Sequence, residues 1–206
     1  AFLDKPVDMV ILERVLKAAS QSPSSKNTQP WEIAIVMNQP LHDLREKLCT
    51  KFEENQFEAP DYIYSPNPLS EAQLQRAREC GFDLFKLKDI SKDDTEKRKE
   101  HTKENFKFFN APAVLFLFTE TQSEKGTFLD LGLFLQSIML GLLSEGLSSC
   151  PQYSVTSFTT TIKKALNKSD VSLVCGLSIG YEDPSAIVNS FIPTRRDSKD
   201  FITWYT

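Results

Sequence analysis

Apolar positions along the chain recur with two different periods, and these outline its elements. Met9, Leu12, Val15, Leu16 and Ala19 repeat at three and four, which predicts an amphipathic helix that Asp8 can cap and that ends by Ser22–Pro23. Glu32–Met37 is a β-branched run suited to a buried strand. Pro40 then opens a second helix with Leu41, Leu44 and Leu48 on one face and His42 at its surface. Ser70 and Gln73 form a capping-box pattern for a helix reaching about Leu87. Ala113–Phe118 is continuously apolar, as in a strand covered on both faces. Leu131–Leu143 is apolar almost all round and well short of the roughly 20 residues a membrane span needs. Gln136 and Ser137 interrupt it, so it predicts a helix buried on every side, between two subunits, with Gly146 as its C-cap. Ser148–Tyr153 predicts a short strand and loop, Ser157–Leu166 a helix, and Val171–Ile179 a further core strand. After Gly180 the chain is polar and irregular, yet Ile187, Phe191, Phe201 and Trp204 predict that it packs on something.

Composition narrows the function. A chain of 206 residues, 40% apolar and 11% aromatic, can bury a sizeable core as one domain. A net charge of −4 and a pI near 5.3 argue against a nucleic-acid or anionic-membrane surface. Cys49, Cys80, Cys150 and Cys175 are scattered without a Cys-x-x-Cys pair, which fits separate thiols in a reducing cytoplasm. No secretory signal is visible at the start. Ser91–Lys107, which contains His101, is dense in charge and predicts a solvated helical face. Neither histidine sits where a triad or metal site would need it. The glycines form no Gly-x-Gly-x-x-Gly and no Walker loop, so hard redox chemistry would need another carrier, and a flavin supplies one.

One polar loop remains, Gln21–Trp31 (QSPSSKNTQPW), set between the first helix and the first strand and pinned by Pro23 and Pro30. It can present hydroxyls, carboxamides and free backbone N–H groups, although its composition also fits an ordinary turn. Cys150–Pro151 fits a strand-ending kink. The Arg195–Arg196 pair fits either a solvated tail or a fork for phosphate oxygens. Phe106, Phe108 and Phe109 predict core packing rather than a stacking box, while Tyr62 and Tyr64 are the better pocket candidates.

Pro-Ser-Ser-x-Asn-Thr-Gln-Pro-Trp after a helix resembles the signature of the FMN-dependent nitroreductase family. Asn105–Pro112, Asp130–Gln152, Gly180–Pro184 and Asn189–Trp204 resemble its later segments. Tyr64–Leu69 and Arg76–Leu84 resemble its nitrobenzoate-reductase-like branch. The resemblance implies an α+β fold, a mixed β-sheet flanked by helices, paired as an intertwined homodimer through the Leu131–Leu143 helix and the tail. Residues 52–110 would form a helical excursion, a mobile cover over the active site. It implies FMN held by Pro23, Ser24, Ser25, Asn27 and Gln29 of one protomer and by Cys150, Pro151 and Gln152 of its mate. Arg195, favoured over Arg196, would take the phosphate. The chain begins at Ala1, directly after the place where the family carries an arginine-rich strand, so a segment ahead of it is expected. The implied activity is ping-pong hydride transfer from NAD(P)H to a nitroaromatic or quinone, with no catalytic side chain. Alternatives on the same scaffold are reductive dehalogenation, flavin-consuming chemistry, or a flavin-binding dimer without turnover.

Overall fold

A computed structural model describes all of residues 1–206. Strand β2 (Ala113–Glu120) runs through its centre. Ala113, Leu115 and Leu117 enter one helical layer, and Val114, Phe116 and Phe118 enter the other, because successive strand side chains face opposite ways. All six are buried, as the continuous apolar run predicts. β2 is flanked by β1 (Glu32–Met37) and β4 (Val171–Gly180), and β3 (Ser148–Gln152) completes the order β1-β2-β4-β3. The resemblance implies a mixed sheet, but within this chain all three pairings are antiparallel. A parallel neighbour would have to join at β1 or β3, whose outer sides carry no strand in a single protomer.

One layer is built by α1 (Met9–Ala19) and by α5, introduced below; the other by α2 (Asn38–Glu53) and α6 (Thr159–Ala165). Asp8 caps α1 by accepting from the Val10 N–H at 2.9 Å. Leu12, Val15 and Ala19 bury the stripe that the three-four spacing predicts. Leu41, Leu44 and Leu48 of α2 are buried as predicted, and His42 is exposed.

Helix α5 spans Lys125–Ser144, 20 residues rather than the shorter apolar stretch, and Gly146 ends it at φ +73°. By length and composition alone it could cross a membrane. Within one protomer it is buried on one face only, through Leu131, Phe134, Ile138 and Leu142. Leu129 and Leu143 are 67% and 66% exposed. Burial on every side is therefore not achieved by this chain alone, because α1 covers only one side of α5. α1 lies close there. A Cβ added to Gly141 would come within 2.9 Å of Val15 Cγ1. One turn further on, Arg14 grips Glu145 through Nε and Nη2, at 2.8 and 2.6 Å.

The β2–β4 ladder slips by one residue: Leu117 faces Cys175 while Phe118 faces Leu173, leaving Val174 without a partner. The segment 52–110 holds two helices, α3 (Glu71–Leu87), capped by Ser70 and Gln73 as predicted, and α4 (Thr95–Lys103). Its ends are fastened. Phe52, Phe106 and Phe108 are buried, and Glu58 accepts from the Thr161 N–H and hydroxyl. By contrast α3 buries no residue. Glu53 of α2 holds both Lys103 and Lys99 of α4, and those two bonds lower its pKa to about 2. Tail residues Ile192 and Trp204 are 89% and 82% exposed while Val188 and Phe191 are half-buried, so the tail's large apolar groups are only partly covered by this chain.

Two outcomes follow from these contacts. Gly141→Ala should destabilise the fold by about 1–3 kcal/mol through crowding against Val15, read from the urea midpoint. The folded pKa of Glu53 lies below its ordinary value, so its contribution is present at neutral pH and lost as the pH falls from about 5 towards 2. Glu53→Gln should flatten that acid limb of the stability curve, measured by circular dichroism.

Candidate active site

A cavity of 980 Å³ opens between α5, the β3 edge and residues 62–66. Phe128, Leu131, Leu135 and Met139 of α5 line one wall, and Pro151, Gln152 and Tyr153 another. Leu117, Val174 and Cys175 come from the strands beneath. Tyr62 and Tyr64 both line the cavity, as the sequence suggests. The slip in β4 holds them there. The unpaired Val174 carbonyl accepts the Tyr62 hydroxyl at 2.9 Å, and Asp61 accepts the Leu173 N–H at 2.8 Å. Tyr153 donates its hydroxyl to the Tyr62 carbonyl at 3.0 Å, and Tyr64 tilts onto the Tyr153 ring at 4.6 Å.

These bonds define what the cavity can do chemically. Both phenol protons are already donated to carbonyls, and burial, followed by neighbouring ionisable groups, pushes the Tyr62 pKa well up. Burial raises the Cys175 thiol to about 12. Neither is an acid or a nucleophile at neutral pH. The Gln152 carboxamide is committed as well, donating to the Asn105 carbonyl at 2.8 Å and accepting from the Ser178 hydroxyl. That carboxamide is therefore not free to meet a ligand.

The polar loop lies outside this cavity, along α5. Lys26, Asn27 and Gln29 have φ of 53°, 59° and 48°, left-handed values that cost side-chain-bearing residues energy and gather at functional sites. The expectation of freely available N–H groups is only partly met, because the turn consumes most of them. Asn27 N–H donates to Ser24 O, Thr28 N–H to Ser25 O, and Gln29 N–H to Ser24 Oγ. Ser25 N–H donates to Asp130 Oδ2 at 3.0 Å. The loop's flanks also rest on α5: Ser22 Oγ donates to Ser137 Oγ at 2.9 Å, and Trp31 stacks on Phe134 at 4.5 Å and 8°. Pro23 and Pro30 bracket it. Ser25 Oγ and the Asn27 carboxamide have no protein partner, and they are the kind of groups that grip a polar chain.

Cys150 borders a second cavity of 530 Å³, which shares Gln136 and Met139 with the first; burial raises its thiol pKa too. Arg195 and Arg196 are found elsewhere, in a groove with Arg76 and Arg78 of α3. There Arg195 donates to the Pro193 carbonyl at 3.2 Å and Arg196 lies over Phe201. Within one protomer, then, Tyr62, Tyr64, Pro151 and Gln152 come together, Cys150 borders the adjoining space, and Pro23–Gln29 and the arginine pair lie apart. His101 is half-buried against Phe85, away from all of these. The α5 wall was missed by sequence reasoning; Gln136, which interrupts the apolar run, was the available signal.

A profile of the nitroreductase family matches residues 1–181. The chain belongs to that family. Its relatives include a 4-nitrobenzoate reductase of Pseudomonas putida, 35% identical over 98% of this chain and 88% of that one. Among solved structures, the FMN- and NADPH-dependent nitroreductase NfnB from Sphigopyxis sp. strain HMH superposes with a TM-score of 0.95, at 31% identity, over 100% of this chain and 93% of that one. The FMN-dependent NfnB of Mycobacterium smegmatis, in complex with NADPH, gives 0.96 at 27% identity, over 100% and 92%. The α+β fold of this nitroreductase-family chain is thus that of flavin-dependent enzymes. Its cavity suits a planar ring, being walled by aromatic and aliphatic groups with a proline at one edge.

With the Cys150 and Cys175 thiols raised by burial, brief treatment of the native chain with iodoacetamide at neutral pH should modify exposed Cys80 first. Peptide mass spectrometry would read this, and Cys175 should react only after unfolding.

Proposed function

We propose that this chain is an FMN-dependent oxidoreductase that uses NAD(P)H to reduce nitroaromatic or quinone-like substrates by ping-pong hydride transfer. The observation that carries the reading is the 980 Å³ cavity beside Pro151, with aromatic and aliphatic walls and the Tyr62, Tyr153 and Cys175 side chains committed or raised by burial, in a chain 31% identical to an FMN- and NADPH-dependent nitroreductase. A bound FMN supplies the electron carrier between nicotinamide and substrate, chemistry that no side chain here offers.

Pro23, Ser24, Ser25, Asn27 and Gln29 would hold the polar side of the cofactor, with Ser25 Oγ and the Asn27 carboxamide as donors. Cys150, Pro151 and Gln152 would meet the ring, Pro151 by packing and Gln152 through its backbone dipole. Arg195, with Arg196, would take the phosphate. Tyr62 and Tyr64 would face the substrate. The apolar walls would leave a bound ring in a lower local dielectric, which strengthens fixed dipoles aimed at it. With the Tyr62 and Tyr153 phenol protons already donated to carbonyls and the Cys175 thiol raised by burial, the proton would come from water or the flavin.

The loop and the β3 edge lie apart in one protomer, and a homodimer reconciles them by bringing the loop of one to the edge of its mate. Exposed Leu129, Leu133, Leu140 and Leu143 on α5, together with the apolar tail, support such pairing. We read the chain as one domain whose 52–110 segment covers the site, working in the cytoplasm with neither nucleic acid nor membrane as partner. The test is colour and turnover. Protein soaked in FMN and desalted should stay yellow, bleach with NADPH or NADH under argon, and regain colour with 4-nitrobenzoate but not with a halophenol. A colourless protein would sink the reading, and an active, flavin-loaded monomer on gel filtration would sink the dimer.

A further inference from the structure

The structure assigns Asp130 as the positioning residue of the polar loop, an inference that rests on reading Ser24–Gln29 as part of the cofactor site. Asp130 is only 8% exposed and lies in a helix that is otherwise largely apolar. No lysine or arginine pairs with it. Its one protein partner is the Ser25 backbone N–H, at 3.0 Å. A buried carboxylate without a cation is costly, and a core alone would be better served by a leucine. The place where this one bonds is therefore informative: immediately ahead of Lys26 and Asn27, where the backbone turns left-handed.

Asp130 also belongs to a pattern. With Phe134 and Ser137 it lies at spacings of four and three on one face of α5. Ser137 holds the loop's entrance through Ser22, Phe134 holds its exit through Trp31, and Asp130 holds the turn between them. Asp130 supplies the only one of these contacts that bonds the strained turn itself. The helix is thus a template that keeps Ser25 Oγ and the Asn27 carboxamide in a fixed outward orientation before any ligand arrives. A loop already ordered need not be ordered on binding, and affinity rises accordingly.

The test compares the full chain with Asp130→Ala and Asp130→Asn, since the asparagine Oδ1 can still accept from Ser25. Two readouts are used: backbone hydrogen exchange of residues 22–31 without flavin, and FMN affinity by fluorescence quenching. Asp130→Ala should speed exchange at Ser25 and weaken FMN binding, each by about tenfold or more, while α1 exchange stays unchanged. Asp130→Asn should stay within about threefold of the parent in both. Unchanged loop exchange in Asp130→Ala, a change spread equally over α1, or an Asp130→Asn variant as impaired as the alanine would each overturn the assignment. If Asp130→Ala does not fold, the decision falls to Asp130→Asn: retained slow exchange at Ser25 supports the assignment, and lost protection overturns it. A parent chain that binds no FMN would remove the cofactor reading alone, because the exchange comparison still decides whether Asp130 positions the loop.

Discussion

The seam between α1 and α5 determines where everything else in the candidate site can lie. Contacts run down it in reverse order, from Arg14 on Glu145, through Val15 on Gly141 and Ser22 on Ser137, to Ser25 on Asp130. An ion pair, a close approach that only glycine permits, and two polar bonds thereby register one segment against the other. The wall of the cavity and the polar loop share α5 as a common support. A displacement of α1 along that seam would carry the loop with it. The sheet contributes differently, burying Leu115, Leu117 and Leu177 beneath α5 so that the helix cannot sink or tilt to follow.

On the strand side of the cavity, the polar groups are largely occupied by the protein itself. Tyr62 serves the unpaired Val174 carbonyl, Tyr153 serves the backbone of Tyr62, and Gln152 bridges Asn105 and Ser178. Those committed groups do little proton chemistry. Such a site suits a reaction in which the protein's contribution is shape, dryness and fixed dipoles, which is what a bound redox ring requires of its host.

Much of this was readable in the chain, and the failures have identifiable causes. The Ser70–Gln73 box, the Gly146 terminus and the two-faced burial of β2 depend on local chemistry, and each was legible. The loop's motif was legible by resemblance, whereas its physics alone fitted a turn. Its left-handed residues were not legible, because none of Lys26, Asn27 and Gln29 is glycine and the strain comes from anchoring at a distance. An acid at the edge of an apolar run reads as a boundary, which hid what Asp130 does. The one-sided burial of α5 was hidden for a related reason: a helix apolar all round does not say which side its own chain will cover. The placing of Arg195 beside Arg76 depends on the path of an irregular tail, which no periodicity encodes.

The extra residue in β4 has a consequence for how this strand can vary. Alternation would send Leu173 to the same layer as Cys175 and Leu177, yet it packs with Val114 and Phe116 on the far side. One strand is thereby split into two halves whose alternation is out of phase: odd-numbered side chains face α2 and α6 before Val174 and α5 after it. Gly176, past the slip, turns instead towards Val155 and Phe116, so each half still serves both layers but with its alternation reversed. Loss of the extra residue would send the side chains on one side of the slip to the opposite layer, so the chamber keeps its lining only while that single irregularity in the ladder is inherited intact.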